Sequence, residues 1–232
     1  MHMLVRPSAP SGTIDYWQLS AIREDRYDTA EETMVGDMDA GFFVASSRNY
    51  IPHEYPCRRI FAERWRGVRP EPAASFEPKS WWFPLGSDRV DRSGFWFRPT
   101  RVECWARTFL RCETAGEGRF RLSTCGAASL FVNGEEAGWI AGYRRNLEDS
   151  CELVLPLQAG DNEVRVWFGD LCERDTRFTF TLRYLEGPAL TVALPVPVPP
   201  ERAGELEQLI EGIRFERRLF HSLFSSQDQK EA

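Results

Sequence analysis

The sequence predicts a mainly β fold: an antiparallel β-sandwich followed by a C-terminal α-helix. Apolar and polar residues alternate in three segments, 119–125, 162–168 and 176–185. A period of two places one side of each strand in a core and the other in solvent, as in antiparallel sheets. The dipeptide Asn133-Gly134 lies between two such strands. It favours a type I′ hairpin turn, in which both residues need positive φ.

We divide the chain into an N-terminal arm, a sandwich, a Pro-rich linker and a helix, at residues 1–36, 37–194, 195–200 and 201–224. The arm is polar, with one strand expected near Tyr16–Ile22. Two strands are expected to follow at Gly41–Ser46 and Arg58–Glu63. Residues 66–100 resemble a long loop whose aromatic side chains anchor it to the sheet, because long loops without packing are rare. The most regular part of the sandwich is 100–186.

The regular strands are expected at 102–111, 119–125, 128–133, 136–140, 151–155, 162–168, 176–185 and 189–194. Their alternation predicts which side chains face inward. This inward-facing set comprises Phe120, Leu122, Val132, Val164, Val166, Phe168, Phe178, Phe180 and Leu182. The proline run 195–200 is expected to end the sheet, because proline cannot donate a ladder hydrogen bond.

Beyond Pro200 the spacing of apolar residues changes to that of an amphipathic helix. The apolar stripe comprises Leu206, Leu209, Ile210, Ile213, Phe220, Leu223 and Phe224. A single helix is marginal in water, so this stripe either folds back on the sheet or docks on a partner. The many apolar residues at its far end favour a partner, either a catalytic domain beyond the C-terminus or a second copy of the chain. Deletion of 201–232 should then leave the melting temperature of the sandwich nearly unchanged.

Composition excludes several function classes. The net charge of −6 and the pI near 5.3 argue against nucleic-acid binding. No apolar run reaches transmembrane length and the N-terminus lacks a signal-peptide core, so we expect a cytoplasmic protein without membrane attachment. The six cysteines show no CxxC spacing and the chain has three histidines, so neither zinc nor another cofactor is expected.

The sequence contains no nucleophile or nucleotide-binding motif, which leaves carboxylates as the catalytic option. Asp170, Glu173 and Asp175 cluster between two strands, interleaved with Arg174 and Arg177. An ion-paired surface loop is the favoured interpretation. A pair of glycosidase carboxylates and a weak calcium site formed by the same three residues are the alternatives.

Aromatic residues beside loop charges form further candidate sites. Sugar rings stack their C–H faces on aromatic rings, while their hydroxyls bond to charged side chains. On this basis the candidate carbohydrate-binding residues are Trp82, Asp88, Asp91, Trp96, Trp139, Tyr143 and Arg145. For these residues the favoured interpretation is that the aromatics anchor loops to the sheet and that the charges pair locally, with sugar binding as the alternative.

Several segments together resemble a known family. They are Trp105-Ala-Arg-Thr-Phe109, Gly118-Arg-Phe-Arg-Leu122, Leu130-Phe-Val-Asn-Gly134, Leu157-Gln-Ala-Gly-Asp-Asn162 and Val164-Arg-Val166. The pattern is similar to the galactose-binding-like jelly-roll β-sandwich found N-terminal to the catalytic domains of bacterial glycoside hydrolases, including rhamnosidase-like and β-galactosidase-like enzymes. In those families the sandwich braces the catalytic domain or binds sugar at loops on one end. No family catalytic residue has a counterpart here.

The resemblance implies a non-catalytic β-sandwich module of a carbohydrate-active enzyme, with a glycan or a catalytic domain as partner. A stand-alone carbohydrate-binding protein is the second hypothesis. The third is a structural or oligomerisation domain without ligand. The chain itself is not expected to catalyse hydrolysis, although it could form the N-terminal part of a glycoside hydrolase.

Overall fold

The computed structural model of the chain describes residues 2–9, 11–26, 56–73, 75–83 and 89–224. Within these ranges the chain forms antiparallel strands and helices. The strands are β1 (His2–Pro7), β2 (Trp17–Leu19), β3 (Arg23–Arg26), β4 (Ser80–Trp82), β5 (Val90–Asp91), β6 (Gly94–Cys112), β7 (Gly116–Thr124), β8 (Ala127–Val132), β9 (Glu135–Ala141), β10 (Asp149–Leu157), β11 (Gly160–Thr176), β12 (Thr179–Glu186) and β13 (Leu190–Val196). The helices are α1 (Pro56–Trp65), a 3₁₀ turn (Pro200–Arg202) and α2 (Ala203–Phe224).

The strands form two sheets. The larger has the order β1-β13-β6-β11-β8-β9, with β2 and β3 also paired to β6 and β4 paired to β2. The smaller has the order β10-β7-β12-β5. The longest pairing joins β6 and β11, from Cys112 opposite Gly160 to Gly94 opposite Thr176. The expected mainly β, antiparallel sandwich with a C-terminal helix is confirmed.

The main core contains residues from both sheets, as the alternation predicts. All nine residues of the predicted inward-facing set are at most 5% exposed. The strands that carry this set give alternate side chains to the core. Removing their apolar area from water stabilises the packing of the two sheets by ~25 cal/mol per Å². This part of the prediction is confirmed residue by residue.

The turn at Asn133-Gly134 is also confirmed. Its φ angles are 52° and 91°, as a type I′ turn requires. Asn162 on β11 supports the same corner. Its fully buried amide accepts from Asn133 Nδ2 at 3.1 Å and donates to the carbonyl of Leu110 at 3.2 Å. Asn162 thus links the hairpin to β6.

Most of the described part of the expected N-terminal arm belongs to the larger sheet, while Thr13 forms a bridge to Arg183 on β12 of the smaller one. β1 pairs with β13 from His2 opposite Val196 to Pro7 opposite Thr191. β2 lies within the strand expected near Tyr16–Ile22 and pairs with β6. The arm is built into the sheet because its backbone groups and Leu4, which is 1% exposed, find partners there. The strand expected at Gly41–Ser46 lies outside the described residues.

The expected strand Arg58–Glu63 is wrong, because this segment lies in α1. Arg58, Phe61, Ala62 and Trp65 follow the spacing i, i+3, i+4, i+7, which puts them on one face of a helix. Arg58, Phe61 and Ala62 are buried against the outer side of the larger sheet. The helical spacing of these buried residues therefore explains why the segment forms a helix rather than the expected strand.

Two expected loops are strands instead. The later part of the 66–100 segment begins β6, which runs for 19 residues from Gly94. The acidic segment 170–175 is the last part of β11. Pairing between these two extensions continues past a register shift between Cys172 and Arg174, where Arg174 has φ of 52°. Such an irregularity lets a long strand bend without leaving the sheet.

The C-terminal helix is present, and its first half folds back on the sandwich. Ile210 is 2% exposed and joins the main core, while Leu206 and Val198 pack against it. Arg6 on β1 lies 4.0 Å from Glu207. For these residues the expectation that a partner covers the apolar stripe is wrong. β13 continues to Val196, so the connection between the sheet and the helix is short and keeps the helix against the sandwich. The side chains of 217–224 lie outside those described.

Neither helix within the described ranges combines the length and the apolar content that crossing a membrane requires.

Candidate functional site

The outer face of the larger sheet carries a row of aromatic side chains. Trp105 on β6 lies directly opposite Trp167 on β11, which lies opposite Ser129 on β8, which in turn lies opposite Trp139 on β9. The small side chain of Ser129 leaves room for the flanking indoles, and the rings of Trp139 and Trp167 stack at 5.9 Å and 16°. An aromatic strip therefore crosses four strands.

Helix α1 covers part of this strip and forms a second, smaller core. Phe61 is 2% exposed and meets the ring of Tyr143 edge-on at 5.1 Å. Trp167 and Leu171 of β11 belong to the same cluster, with Trp65 packed at its edge. Sequence alternation predicts that Trp167 points away from the main core, and it does. It is nonetheless only 6% exposed, because α1 lies over it.

Arg58 fastens α1 to the sheet. Its guanidinium donates from Nε to Glu173 at 3.1 Å and from Nη1 to Asp170 at 3.0 Å. Further bonds reach the carbonyls of Tyr143 and Leu171. The side chain is 3% exposed. Burial lowers the pKa of Arg58, but the two carboxylates more than offset this, so the pKa is raised and the guanidinium is charged.

Asp170 is the carboxylate that Arg58 only half satisfies. Oδ1 accepts from Arg58 and from the backbone N–H of Leu171 at 2.8 Å. Oδ2 is buried and has no hydrogen-bond partner within the described part of the chain. Burial raises the pKa of Asp170 to about 6, and the charge of Arg58 and the Leu171 N–H offset part of that rise. A carboxyl group with this environment holds an unused acceptor.

Asp170 lines a cleft of about 290 Å³ between α1, the segment 68–71 and the sheet. Trp105 and Trp167 also line it, together with Trp65 from α1. Gly169 contributes to the same lining, and a Cβ there would meet the ring of Trp167 at 2.7 Å. Glycine therefore permits the close packing at this point of the cleft. We call this space the first cleft.

The rim of the first cleft is an ion-pair network. Arg101 stacks over the ring of Trp65 at 3.8 Å and donates to Glu103 at 2.8 Å. Arg23 reaches the other oxygen of Glu103 at 3.3 Å. The Nε1 of Trp65 is buried and lacks a hydrogen-bond partner among the residues described. The cleft therefore combines aromatic faces with an unused indole donor and an unused carboxylate acceptor.

Two of the predicted carbohydrate-binding residues lie at this site. Tyr143 lines the first cleft. Trp139 lies beside it in the aromatic strip, under the guanidinium of Arg69 at 4.4 Å.

The other five candidates do not lie at the first cleft or are not described. Trp82 and Trp96 pack against the main core, and Trp96 Nε1 donates to Glu24 at 3.3 Å. Asp91 accepts from the backbone of Ser93. Arg145 donates to the carbonyl of Asp175 at 3.2 Å. Asp88 lies outside the described residues.

The same geometry bears on the weak calcium candidate, Asp170, Glu173 and Asp175. The guanidinium of Arg58 bridges Asp170 and Glu173, so their carboxylates are already bound to a cation of this chain. Asp175 is exposed and separate from them. No group of three metal-ligating side chains occurs in the described ranges. Asp170 and Glu173 share Arg58 as a buried partner, which lies on α1 and not in their own segment.

Sequence reasoning missed Arg58, Trp65, Trp105 and Asp170 as parts of one site. One signal was present: outward positions of β6 hold Arg101, Glu103 and Trp105, while the inward positions between them are buried. An aromatic residue among charges on a solvent face indicates a binding surface. The contribution of α1 required its helical period to be recognised.

No protein-family model and no curated protein matches this sequence. Among solved structures, a PA14 sugar-binding domain from an RTX adhesin is 16% identical over 40% of this chain and 51% of that chain, with a TM-score of 0.31. A family 35 carbohydrate binding module from an environmental isolate is 13% identical over 57% and 89%, with a TM-score of 0.29.

A GH31 α-xylosidase from Xanthomonas citri is 14% identical over 48% of this chain and 15% of that chain, with a TM-score of 0.31. The region of similarity is thus about half of the adhesin domain and a small part of the xylosidase. At these identities and TM-scores the likeness says nothing about what this chain binds. The rhamnosidase-like and β-galactosidase-like context therefore stays a prediction.

Proposed function

We propose that this chain is a non-catalytic β-sandwich module of a carbohydrate-active enzyme and that it binds glycan in the first cleft. The observation that carries the proposal is Asp170, which lines the cleft and whose buried Oδ2 has no hydrogen-bond partner in the described residues. Leaving a buried acceptor unsatisfied costs ~1–3 kcal/mol. A ligand hydroxyl that donates to it therefore recovers this free energy on binding.

The lining suits a sugar ring. Trp105 offers an aromatic face of the kind on which C–H groups stack, and Trp65 offers an indole donor that is not used within the described chain. Ligand sites are generally concave and apolar, with a few fixed polar groups that orient the ligand. The hydrogen bond from Arg58 to Oδ1 holds the Asp170 carboxyl group in one orientation, which also fixes the position of Oδ2. These features support recognition of a hydroxylated ring.

The carboxylates beside the cleft support binding rather than hydrolysis. Glycosidases place two carboxyl groups about 5–9.5 Å apart on either side of one glycosidic bond. Here Asp170 and Glu173 share one guanidinium, and Glu103 on the rim pairs with Arg101 and Arg23. These three carboxylates are thus arranged as ion pairs, and a bracing or binding role fits them better than acid–base catalysis.

The enzyme context is the finer part of the proposal. The motifs that resemble galactose-binding-like sandwiches support it, with a stand-alone carbohydrate-binding protein as the alternative. Leu209 and Phe215 on α2 are 59% and 62% exposed. In this proposal a catalytic domain or a second copy of the chain covers them.

The test is isothermal titration calorimetry of the purified chain against a panel of neutral and acidic oligosaccharides. Wild type is expected to bind at least one of them. Trp105→Ala removes the aromatic face and is expected to abolish that binding. Phe97→Ala is the matched control, because Phe97 is 92% exposed and packs on Phe95 rather than in the cleft. Thermal unfolding of both variants checks that they fold.

The sequence-based candidates provide a second comparison. Trp96→Ala should leave affinity unchanged, since Trp96 packs against the main core. Trp139→Ala should weaken binding less than Trp105→Ala, because Trp139 acts through its stack on Trp167. A loss with Trp96→Ala and full affinity with Trp105→Ala would place the site elsewhere. If wild type binds no glycan, direct binding is excluded and only the bracing role remains.

A further inference from the structure

A second cleft of about 320 Å³ adjoins the first. Ser20, Ala21 and Lys79 line it on one side, and Phe76 and Arg165 line it on another. Trp105 lines both clefts. Because one residue on the outer face of β6 borders both spaces, the two clefts are neighbours on this face of the sheet.

The two clefts also share a wall. The chain between α1 and β4 contributes residues 68–71 to the first cleft and Ala73, Ser75, Phe76 and Glu77 to the second. Arg165 on β11 holds this segment near the sheet by donating to the carbonyl of Ala73 at 2.6 Å. Lys79 N–H continues the attachment at Leu19. The segment 68–77 and the outer face of the larger sheet therefore border both clefts.

We infer that the two clefts form a single groove that binds a neutral oligosaccharide of several sugar units, with one unit stacked on Trp105. This inference rests on the proposed glycan-binding function and adds the length and the charge class of the ligand. Each cleft alone has about the smallest volume that ligand sites show, and the two together fall well within the usual range of ~300–1,000 Å³.

The charges along the groove favour a neutral ligand. Every described lysine or arginine that lines either cleft already lies within 4.0 Å of a carboxylate. These pairs are Arg23–Glu103, Arg101–Glu103, Arg69–Glu136, Lys79–Glu77 and Arg165–Glu163. Among the buried side-chain oxygens that the described lining residues carry, Asp170 Oδ2 lacks a hydrogen-bond partner, and it belongs to an acid. A uronic or sulfated sugar would meet this carboxyl without an unpaired cation to compensate, whereas a hydroxyl donates to it.

The experiment is calorimetric titration of the full chain with neutral oligosaccharides of increasing length, from monosaccharide to hexasaccharide, and with acidic ones of matched length. Affinity for the neutral series is expected to rise about tenfold or more with length and then level off once the groove is filled. Ala21→Trp places a ring in the second cleft and is expected to remove the gain from length. Ser75→Trp repeats this from the opposite wall if Ala21→Trp does not fold.

The outcomes separate this inference from the proposed function. Short sugars that bind as tightly as long ones would overturn the groove and leave the glycan site in the first cleft intact. Tighter binding of the acidic series would overturn the charge class. If no sugar binds, both the groove and direct glycan binding are wrong. Phe97→Ala serves again as the control that should behave as wild type at every length.

Discussion

Arg58 donates from Nη1 to Oδ1 of Asp170 at 3.0 Å, while Oδ2 of the same carboxyl group lacks a hydrogen-bond partner in the described residues. The two oxygens thus differ in their surroundings. Oδ1 holds α1, which walls the first cleft, to the sheet. Oδ2 is buried without such a partner among the described residues, in a residue that lines the cleft. The Asp170 side chain therefore has a role in stability through Oδ1 and a proposed role in glycan binding through Oδ2.

The first prediction concerns the ion pair. Arg58→Met removes the guanidinium and leaves Asp170 and Glu173 buried without a cation, so the free energy of unfolding should fall by ~3–5 kcal/mol. Urea unfolding at neutral pH measures this.

Arg111→Met is the matched control for that measurement. Arg111 pairs with Asp161 at 2.6 Å, but its side chain is 44% exposed. Exposed pairs contribute ~0–1 kcal/mol, so little change is expected. Equal stability of the Arg58 and Arg111 variants would show that the buried pair does not hold α1 in place.

The second prediction concerns pH. The folded-state pKa of Asp170 is about 6, above its ordinary 3.8, so folding takes up a proton between these values. Its contribution to stability is therefore fully present below pH 3.8 and is lost as the pH rises through about 6. Arg58 offsets part of this rise and has a raised pKa itself, while burial and the charge of Asp170 raise the pKa of Tyr143 and of Cys172. None of these three titrates in this window.

Asp170→Asn isolates that effect. Wild type should lose stability relative to this variant as the pH rises from 4 to 7, as measured by urea unfolding at each pH. Ionisable groups remote from position 170 are present in both proteins, so their contributions to the pH dependence cancel in the difference. A difference that is constant with pH would contradict the raised pKa.

The third prediction concerns backbone conformation. Gly134 has φ of 91°, which a β-branched residue adopts only with strain, so Gly134→Val should destabilise the protein by more than ~1 kcal/mol. Gly212 lies in α2, and a Cβ there has nothing within 4 Å. Gly212→Ala should therefore stabilise by up to ~1 kcal/mol. Thermal unfolding of the two variants should shift in opposite directions, and shifts of the same sign would count against the turn assignment.

The fourth prediction concerns α2. Ile210 is 2% exposed and belongs to the main core. Ile210→Ala should therefore lower the free energy of unfolding by ~2–5 kcal/mol. Phe215 is 62% exposed, and Phe215→Ala should change stability by no more than ~0.5 kcal/mol in the monomer. Calorimetric melting at low concentration measures both. Deletion of 201–232 should now lower the melting temperature, contrary to the expectation from sequence alone.

The sandwich could be predicted because burial of alternate residues leaves a direct trace in the sequence. Phe120, Leu122 and Phe180 each lie at a position whose neighbours are polar or outward-facing, and each is at most 1% exposed. The turn at Asn133-Gly134 could be predicted for a similar reason, since few residues tolerate positive φ. Both signals are local.

The first cleft could not be predicted because its parts are distant in sequence. Arg58 lies 112 positions from Asp170 and 115 from Glu173. The segment 56–65 is short, and short segments do not separate helix from strand clearly by period. Without α1 in place, Trp167 reads as an exposed residue and Asp170 as part of a surface loop.

The most direct test of the central claim is nuclear magnetic resonance of the indole N–H signals during titration with a neutral oligosaccharide. The indole N–H signals of Trp65 and Trp105, assigned with Trp→Phe variants, should shift as oligosaccharide is added and stop shifting once the site is saturated. The signal of Trp17, which is fully buried and donates to Ile14 at 2.8 Å, should stay in place. Shifts confined to Trp82 or Trp96, with Trp65 and Trp105 unchanged, would contradict a glycan site in the first cleft.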